Sequence, residues 1–171
     1  VDANGAFSPE EAMSRMEQLA RYGIHSIEQP IKQYQWKEME RLCRNAPLPI
    51  ALDEELIGVN TLEEKRTLLD TIRPQYIVVK PTLHGGISGT MEWISEAQKR
   101  NIGSWITSAL ESNIGLRNVA LLAARIYGIT PSNAHKVMPQ GLGTGLLYTD
   151  NIEMDIELRG SKLWRWETVE I

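Results

Sequence analysis

Five residues able to do polar chemistry recur at nearly one interval: Asp2, Glu28, Asp53, Lys80 and Ser108, separated by 26, 25, 27 and 28 residues. Four of them directly follow a short apolar run. The interval is that of a strand, a helix and two loops. It predicts one polar residue at the C-terminal tip of each successive parallel strand, and in a βα barrel those tips converge on one catalytic face. Asp2, Glu28 and Asp53 supply only oxygen donors, which suit Mg²⁺ or Mn²⁺ over Zn²⁺ or copper. Three monodentate carboxylates leave about three of six octahedral positions for water and substrate. Such an ion can hold a substrate carboxylate and stabilise the charge that builds as its α-proton leaves. Lys80 can serve there as base, as acid or as a fixed cation. Taken singly, each carboxylate also reads as a helix cap or loop residue, and Lys80 as a surface lysine. Their common phase over successive units favours a shared site.

The elements that must position these groups are legible along the chain. Ser8 and Glu11 form a capping-box pattern with Pro9 in the first turn, so a helix starts there. Met13, Met16, Leu19 and Ala20 share its apolar face, and Gly23 ends it. Ile24 to Ile27 is a short strand delivering Glu28. Trp36, Met39, Leu42 and Cys43 mark a second amphipathic helix, with Cys43 a core residue. The strand 49–52 delivers Asp53. Thr61 and Glu64 repeat the capping box and open a helix to about Leu69. Tyr76 to Val79 is β-branched and ends at Lys80-Pro81. Ser88 to Arg100 is a helix with Met91, Ile94 and Ala97 inward. Ser104 to Thr107 is a strand reaching Ser108, and Ile114 to Tyr127 is a well-covered helix. Ile152 to Leu158 alternates as an edge strand, against which Trp164 and Trp166 pack. The alternation of strands and helices predicts an α/β fold with a parallel sheet and right-handed crossovers, in one domain over residues 1–171.

Composition narrows the partners. At 42% hydrophobic and 23% charged residues, with a net charge of −4, the chain is globular and lacks a basic footprint for nucleic acid. No apolar stretch approaches the ~20 residues of a membrane span. The single cysteine fits a reducing cytoplasm. His25, His84 and His135 show no ligand spacing; His84 sits in a loop beyond Lys80, and substrate contact is its lesser reading. The Lys-Arg pairs 65–66 and 99–100 read as solvated charges. Gly141-Leu142-Gly143-Thr144-Gly145 reads as a turn at the mouth of the barrel, since no Gly-Lys-Ser/Thr follows to make a phosphate loop.

Several motifs in order carry a family resemblance: Val1-Asp2-Ala3-Asn4, Ile27-Glu28-Gln29-Pro30, Leu52-Asp53-Glu54, and Val79-Lys80-Pro81 with Gly85-Gly86. So does Thr107-Ser108-Ala109-Leu110-Glu111-Ser112-Asn113-Ile114-Gly115-Leu116. Together they resemble the barrel domain of the enolase superfamily, in its muconate-lactonizing subgroup. The resemblance implies a TIM-type barrel in which Asp2, Glu28 and Asp53 hold Mg²⁺, with Mn²⁺ able to substitute. It also implies Lys80 as a catalytic lysine, and Asn4 and Ser108 beside a small carboxylate substrate. The activity implied is loss of an α-proton and then of water from a cyclohexadiene carboxylate; the alternative is racemisation or epimerisation of an amino-acid derivative or dipeptide on the same site. A lysine-based Schiff-base enzyme and a non-catalytic half-barrel are the readings from other classes. The family also places a Lys-x-Lys pair before the first metal ligand, and a small domain that closes over the substrate. Neither falls within these residues, and a closed barrel typically needs about 250 of them. The expectation is an incomplete barrel, poorly active alone, whose open sheet edges are covered by a missing segment or another chain.

Overall fold

The computed structural model describes residues 1–143 and 147–166. Its elements alternate: α1 (Pro9–Ala20), β1 (Ile27–Glu28), α2 (Trp36–Asn45), β2 (Ile50–Leu52), α3 (Leu62–Ile72), β3 (Tyr76–Val79), α4 (Gly86–Gln98), β4 (Gly103–Ile106) and α5 (Asn113–Ile126), then an antiparallel hairpin of β5 (Ile156–Arg159) and β6 (Lys162–Arg165). The sheet order is β1-β2-β3-β4. By its contacts the chain divides into two compact units, Val1–Val79 with Leu83–Ser104, and Lys80–Thr82 with Trp105–Ile171.

In the first unit the strands pair in parallel, Glu28 opposite Ala51 and Leu52 opposite Ile77. All three residues of β2 are fully buried, as are Ile77, Val78 and Val79 of β3. Strands of a parallel sheet are apolar throughout because both faces are covered. Ala12 and Met16 of α1, Met39 and Leu42 of α2, and Leu68, Leu69 and Ile72 of α3 complete this core. The capping boxes of α1 and α3 both form, with Ser8 accepting from the Glu11 N–H and Thr61 from the Glu64 N–H. Cys43 is buried, and burial, reinforced by the charge of Glu40, pushes its thiol up to about 12.

Two expectations are corrected here. The buried face of α4 is Thr90, Trp93, Ile94 and Ala97, which leaves Met91 half exposed. The i, i+3, i+4, i+7 stripe runs through the large Trp93 ring and turns Met91 outward. Of the basic pairs, Arg66 and Lys99 are about half exposed, but Lys65 and Arg100 are not ordinary solvated charges. Lys65 is only 2% exposed; its Nζ donates to Glu92 at 2.7 Å and lies 5.6 Å above the Trp93 ring. Glu96, 3% exposed, accepts from Arg66 at 3.1 and 3.2 Å, Lys99 at 2.6 Å and Arg100 at 2.8 Å, while Arg100 also forks onto Asp70. These contacts clamp α3 to α4. His84, 3% exposed, packs edge-on against Trp93 as part of the core. Gly89 is required beside it, since a Cβ there would lie 1.9 Å from the His84 carbonyl oxygen.

In the second unit α5 buries only Leu116, Val119 and Ala123, and Ile114 is about half exposed, so the helix is less covered than its composition suggests. Arg117 of α5 grips Asp155, which Arg165 of β6 also contacts at 2.9 Å. Trp164 and Trp166 are 49% and 43% exposed, so neither ring is packed away. Of the expected glycine turn, Thr144 and Gly145 lie outside the described residues. Among the described residues no helix is long and apolar enough to cross a membrane.

The three cations on Glu96 hold its carboxyl well below its ordinary value near 4.5, at about 2. A depressed carboxyl pKa stabilises the fold above the ordinary value and loses that contribution as the pH falls through the depressed one. Urea midpoints should therefore fall between about pH 4.5 and 2, and Glu96→Gln should flatten that limb. At neutral pH the same substitution should cost about 2 kcal/mol through lost charge-assisted hydrogen bonds.

Candidate active site

The first unit brings three of the expected residues onto adjacent strands. Asp2 stands opposite Glu28 in a parallel bridge, held by Glu28 N–H to Val1 O at 2.9 Å and Ala3 N–H to Glu28 O at 3.0 Å. Glu28 stands opposite Ala51, and Asp53 lies two residues beyond Ala51. Side chains alternate along a strand, so Asp2, Glu28 and Asp53 share one face at the C-terminal ends. Asp53 is 1% exposed, Glu28 half buried and Asp2 exposed. The Asp2 carboxylate accepts the Asn4 N–H at 2.9 Å, and Asn4 takes the left-handed conformation at φ 46°. Among the described residues no three His, Cys, Asp or Glu side chains gather closely enough to hold an ion. The donor set is nonetheless three carboxyl groups with no nitrogen or sulfur among them, the chemistry of a hard divalent cation. These residues thus fit such an ion by donor type and strand position, and not as a ready-formed cluster.

Lys80 directly follows β3, and Ser108 lies two residues past β4; both belong to the second unit. Ser108 is 6% exposed. Its backbone is fixed by a ladder in which Gly141 N–H donates to Ile106 O at 2.9 Å and Ser108 N–H donates to Gly141 O at 2.8 Å. Gly141 has no room for a side chain, because a Cβ would lie 2.2 Å from Thr107 Oγ1. The Ser108 hydroxyl donates to Glu111 Oε2, which also accepts the Ala109 N–H at 2.7 Å. The other Glu111 oxygen accepts the Thr82 hydroxyl at 2.5 Å. Burial raises the Glu111 pKa, but the hydrogen bonds from Ser108, Thr82 and Ala109 outweigh it and hold the carboxyl below its usual range.

Glu111 was not among the residues predicted to act. Its signal was present, since Ser-x-x-Glu is a capping-box spacing. Ser112, however, is the cap of α5, so Glu111 is released from helix capping and takes two side-chain hydroxyls instead. The remaining histidine of the first unit is structural: His25 Nδ1 is 2.9 Å from Ser26 Oγ and its ring 4.9 Å from that of Tyr76.

Residues 1–155 match the family described as "Enolase C-terminal domain-like". The chain is 53% identical over 163 residues to the o-succinylbenzoate synthase of Desulfotalea psychrophila, a match covering 95% of this chain and 42% of that protein. It superposes on the crystal structure of MenC from Desulfotalea psychrophila LSv54 with a TM-score of 0.86 at 53% identity, over 95% of this chain and 43% of that one. An L-Ala-D/L-amino acid epimerase of Maribacter sp. is 27% identical over 126 residues, 74% of this chain and 36% of the epimerase. The chain therefore spans less than half the length of these relatives. The fold they share with it is the TIM-barrel-type domain, a parallel sheet with helices.

Replacing Glu111 by Gln removes the charge that holds two hydroxyls. Its depressed pKa means the contribution is present above the usual carboxylate range and lost as the pH falls below it. Glu111→Gln should lower the urea midpoint at pH 7 by the equivalent of about 1 kcal/mol, the small value reflecting a half-exposed group. The difference from the parent should vanish in acid.

Proposed function

Because this chain belongs to the enolase C-terminal domain-like family, we propose that it forms the carboxylate-bearing part of the barrel of a divalent-cation-dependent lyase of the o-succinylbenzoate synthase type. The observation that carries this reading is 53% identity over 95% of the chain to a synthase of that name. It is supported by the pairing that sets Asp2 level with Glu28 and puts Asp53 two residues past the partner of Glu28. A hard divalent cation held by Asp2, Glu28 and Asp53 would supply positive charge to the substrate carboxylate as its α-proton leaves. Lys80 is assigned to that proton or to the charge it leaves behind, as base or as ammonium. Ser108, its hydroxyl held by Glu111, and Asn4 are assigned to substrate binding. Loss of hydroxide from the neighbouring carbon, with a proton, then gives water and an aromatic product. Since the chain covers 42% of the synthase, the Lys-x-Lys pair and closing domain that the resemblance implies are assigned to polypeptide outside residues 1–171. A second reading, epimerisation of an amino-acid derivative through the same α-proton transfer, is favoured by the likeness to the Maribacter epimerase.

In the full-length protein, EDTA should abolish the rise of an aromatic ultraviolet chromophore from a cyclohexadiene carboxylate, and Mg²⁺ should restore it. Lys80→Ala should lower kcat by about 10²–10⁴-fold, the range of a positioned acid or base. A change of optical rotation in a dipeptide without any chromophore would replace the lyase by the epimerase. Undiminished turnover in EDTA would end the metal reading.

A further inference from the structure

Gln29 stands next to Glu28 and is entirely buried. Its backbone is in the left-handed region at φ 39°, which side chains with a Cβ rarely adopt. Every hydrogen-bonding capacity of its amide is filled. Nε2 donates to Ile31 O at 2.9 Å and to Glu55 Oε2 at 3.1 Å, and Oε1 accepts from Asp53 N–H at 3.2 Å and Glu55 N–H at 3.3 Å. The opposite amide orientation would set NH₂ against two N–H donors, so the partners fix which end is which. The Gln29 main chain adds two links, donating to Ala51 O at 2.9 Å and accepting from Gly5 N–H at 2.7 Å. One residue is thus joined to the segment after Asp2, adjoins Glu28, and holds the amide of Asp53. Glu55, 1% exposed, is itself anchored by the Tyr34 N–H at 2.8 Å.

We infer that Gln29, locked by Glu55, is a positioning residue that sets the three strand tips bearing Asp2, Glu28 and Asp53 for cation binding. The inference rests on the metal reading above. A strained, buried backbone persists only where its surroundings over-determine it, and such positions cluster at functional sites. Groups behind metal ligands characteristically change affinity by about 10–100-fold when removed.

The test is the Kd of Mn²⁺ for the full-length protein, read by electron paramagnetic resonance, alongside the urea midpoint. Gln29→Glu and Glu55→Gln should each weaken Mn²⁺ by about 10–100-fold. The double variant exchanges donor and acceptor across the Gln29–Glu55 bond, and should regain a substantial part of the loss. Gln29→Met removes all four bonds without juxtaposing two carboxyl groups, and should weaken Mn²⁺ as well; it reads the effect if Gln29→Glu does not fold. A lowered urea midpoint with an unchanged Kd, or a double variant as weak as the two single losses combined, would overturn the inference. Asp53→Asn separates the two levels: if it leaves Mn²⁺ binding intact, the metal reading itself fails, whereas loss there with unchanged Gln29 variants condemns only the positioning role.

Discussion

Parallel pairing decides which residues of neighbouring strands stand level, and alternation decides which face each occupies. In this chain Asp2 is level with Glu28, and Glu28 with Ala51, two residues before Asp53. A slip of one residue in either ladder would send a carboxyl group to the other face of the sheet, among groups that cannot share an ion with it. The strands are too short to hold register by length alone; β1 has two residues and β2 three. Register therefore depends on apolar burial of β2 and β3 and on the polar ties at the strand ends.

Much of this was legible because it obeys local rules. Capping boxes at Ser8 and Thr61 mark helix starts by backbone hydrogen bonding, and β-branched residues mark β3; both formed as read. The spacing of Asp2, Glu28 and Asp53 survives as a shared sheet face because each strand is delivered by the same repeat. What was not legible depends on partners distant in the chain. Lys65 looks solvated until Glu92 and Trp93 are brought over it by the packing of α4 on α3. Met91 and Trp93 are two positions apart on one helix, and periodicity alone puts Met91 on the inward face where the structure buries Trp93. Gln29 is visible in the sequence only as a member of the motif Ile27-Glu28-Gln29-Pro30, because nothing local announces a side chain that reaches the amides of Asp53 and Glu55.

Polar groups are buried in two different ways here. Around Glu96, cations crowd one carboxyl at the edge of the helix layer, and Arg66 and Lys99 remain about half exposed. Such a clamp is worth most where water can still reach its outer members, since desolvating both partners of an ion pair offsets the gain. Around Gln29 the solution is a neutral amide whose donors and acceptors are all matched, one of them by the buried Glu55 carboxyl. The first arrangement ties helix to helix. The second ties strand end to strand end.

The thiol of Cys43 has a consequence for studying the protein in solution. With its pKa near 12 and its side chain in the core, it presents almost no thiolate at neutral pH. It is the one cysteine of the chain. Maleimide dyes or spin labels should therefore pass it by, so a cysteine introduced at an exposed position such as Tyr22 would report alone, without first deleting the native one.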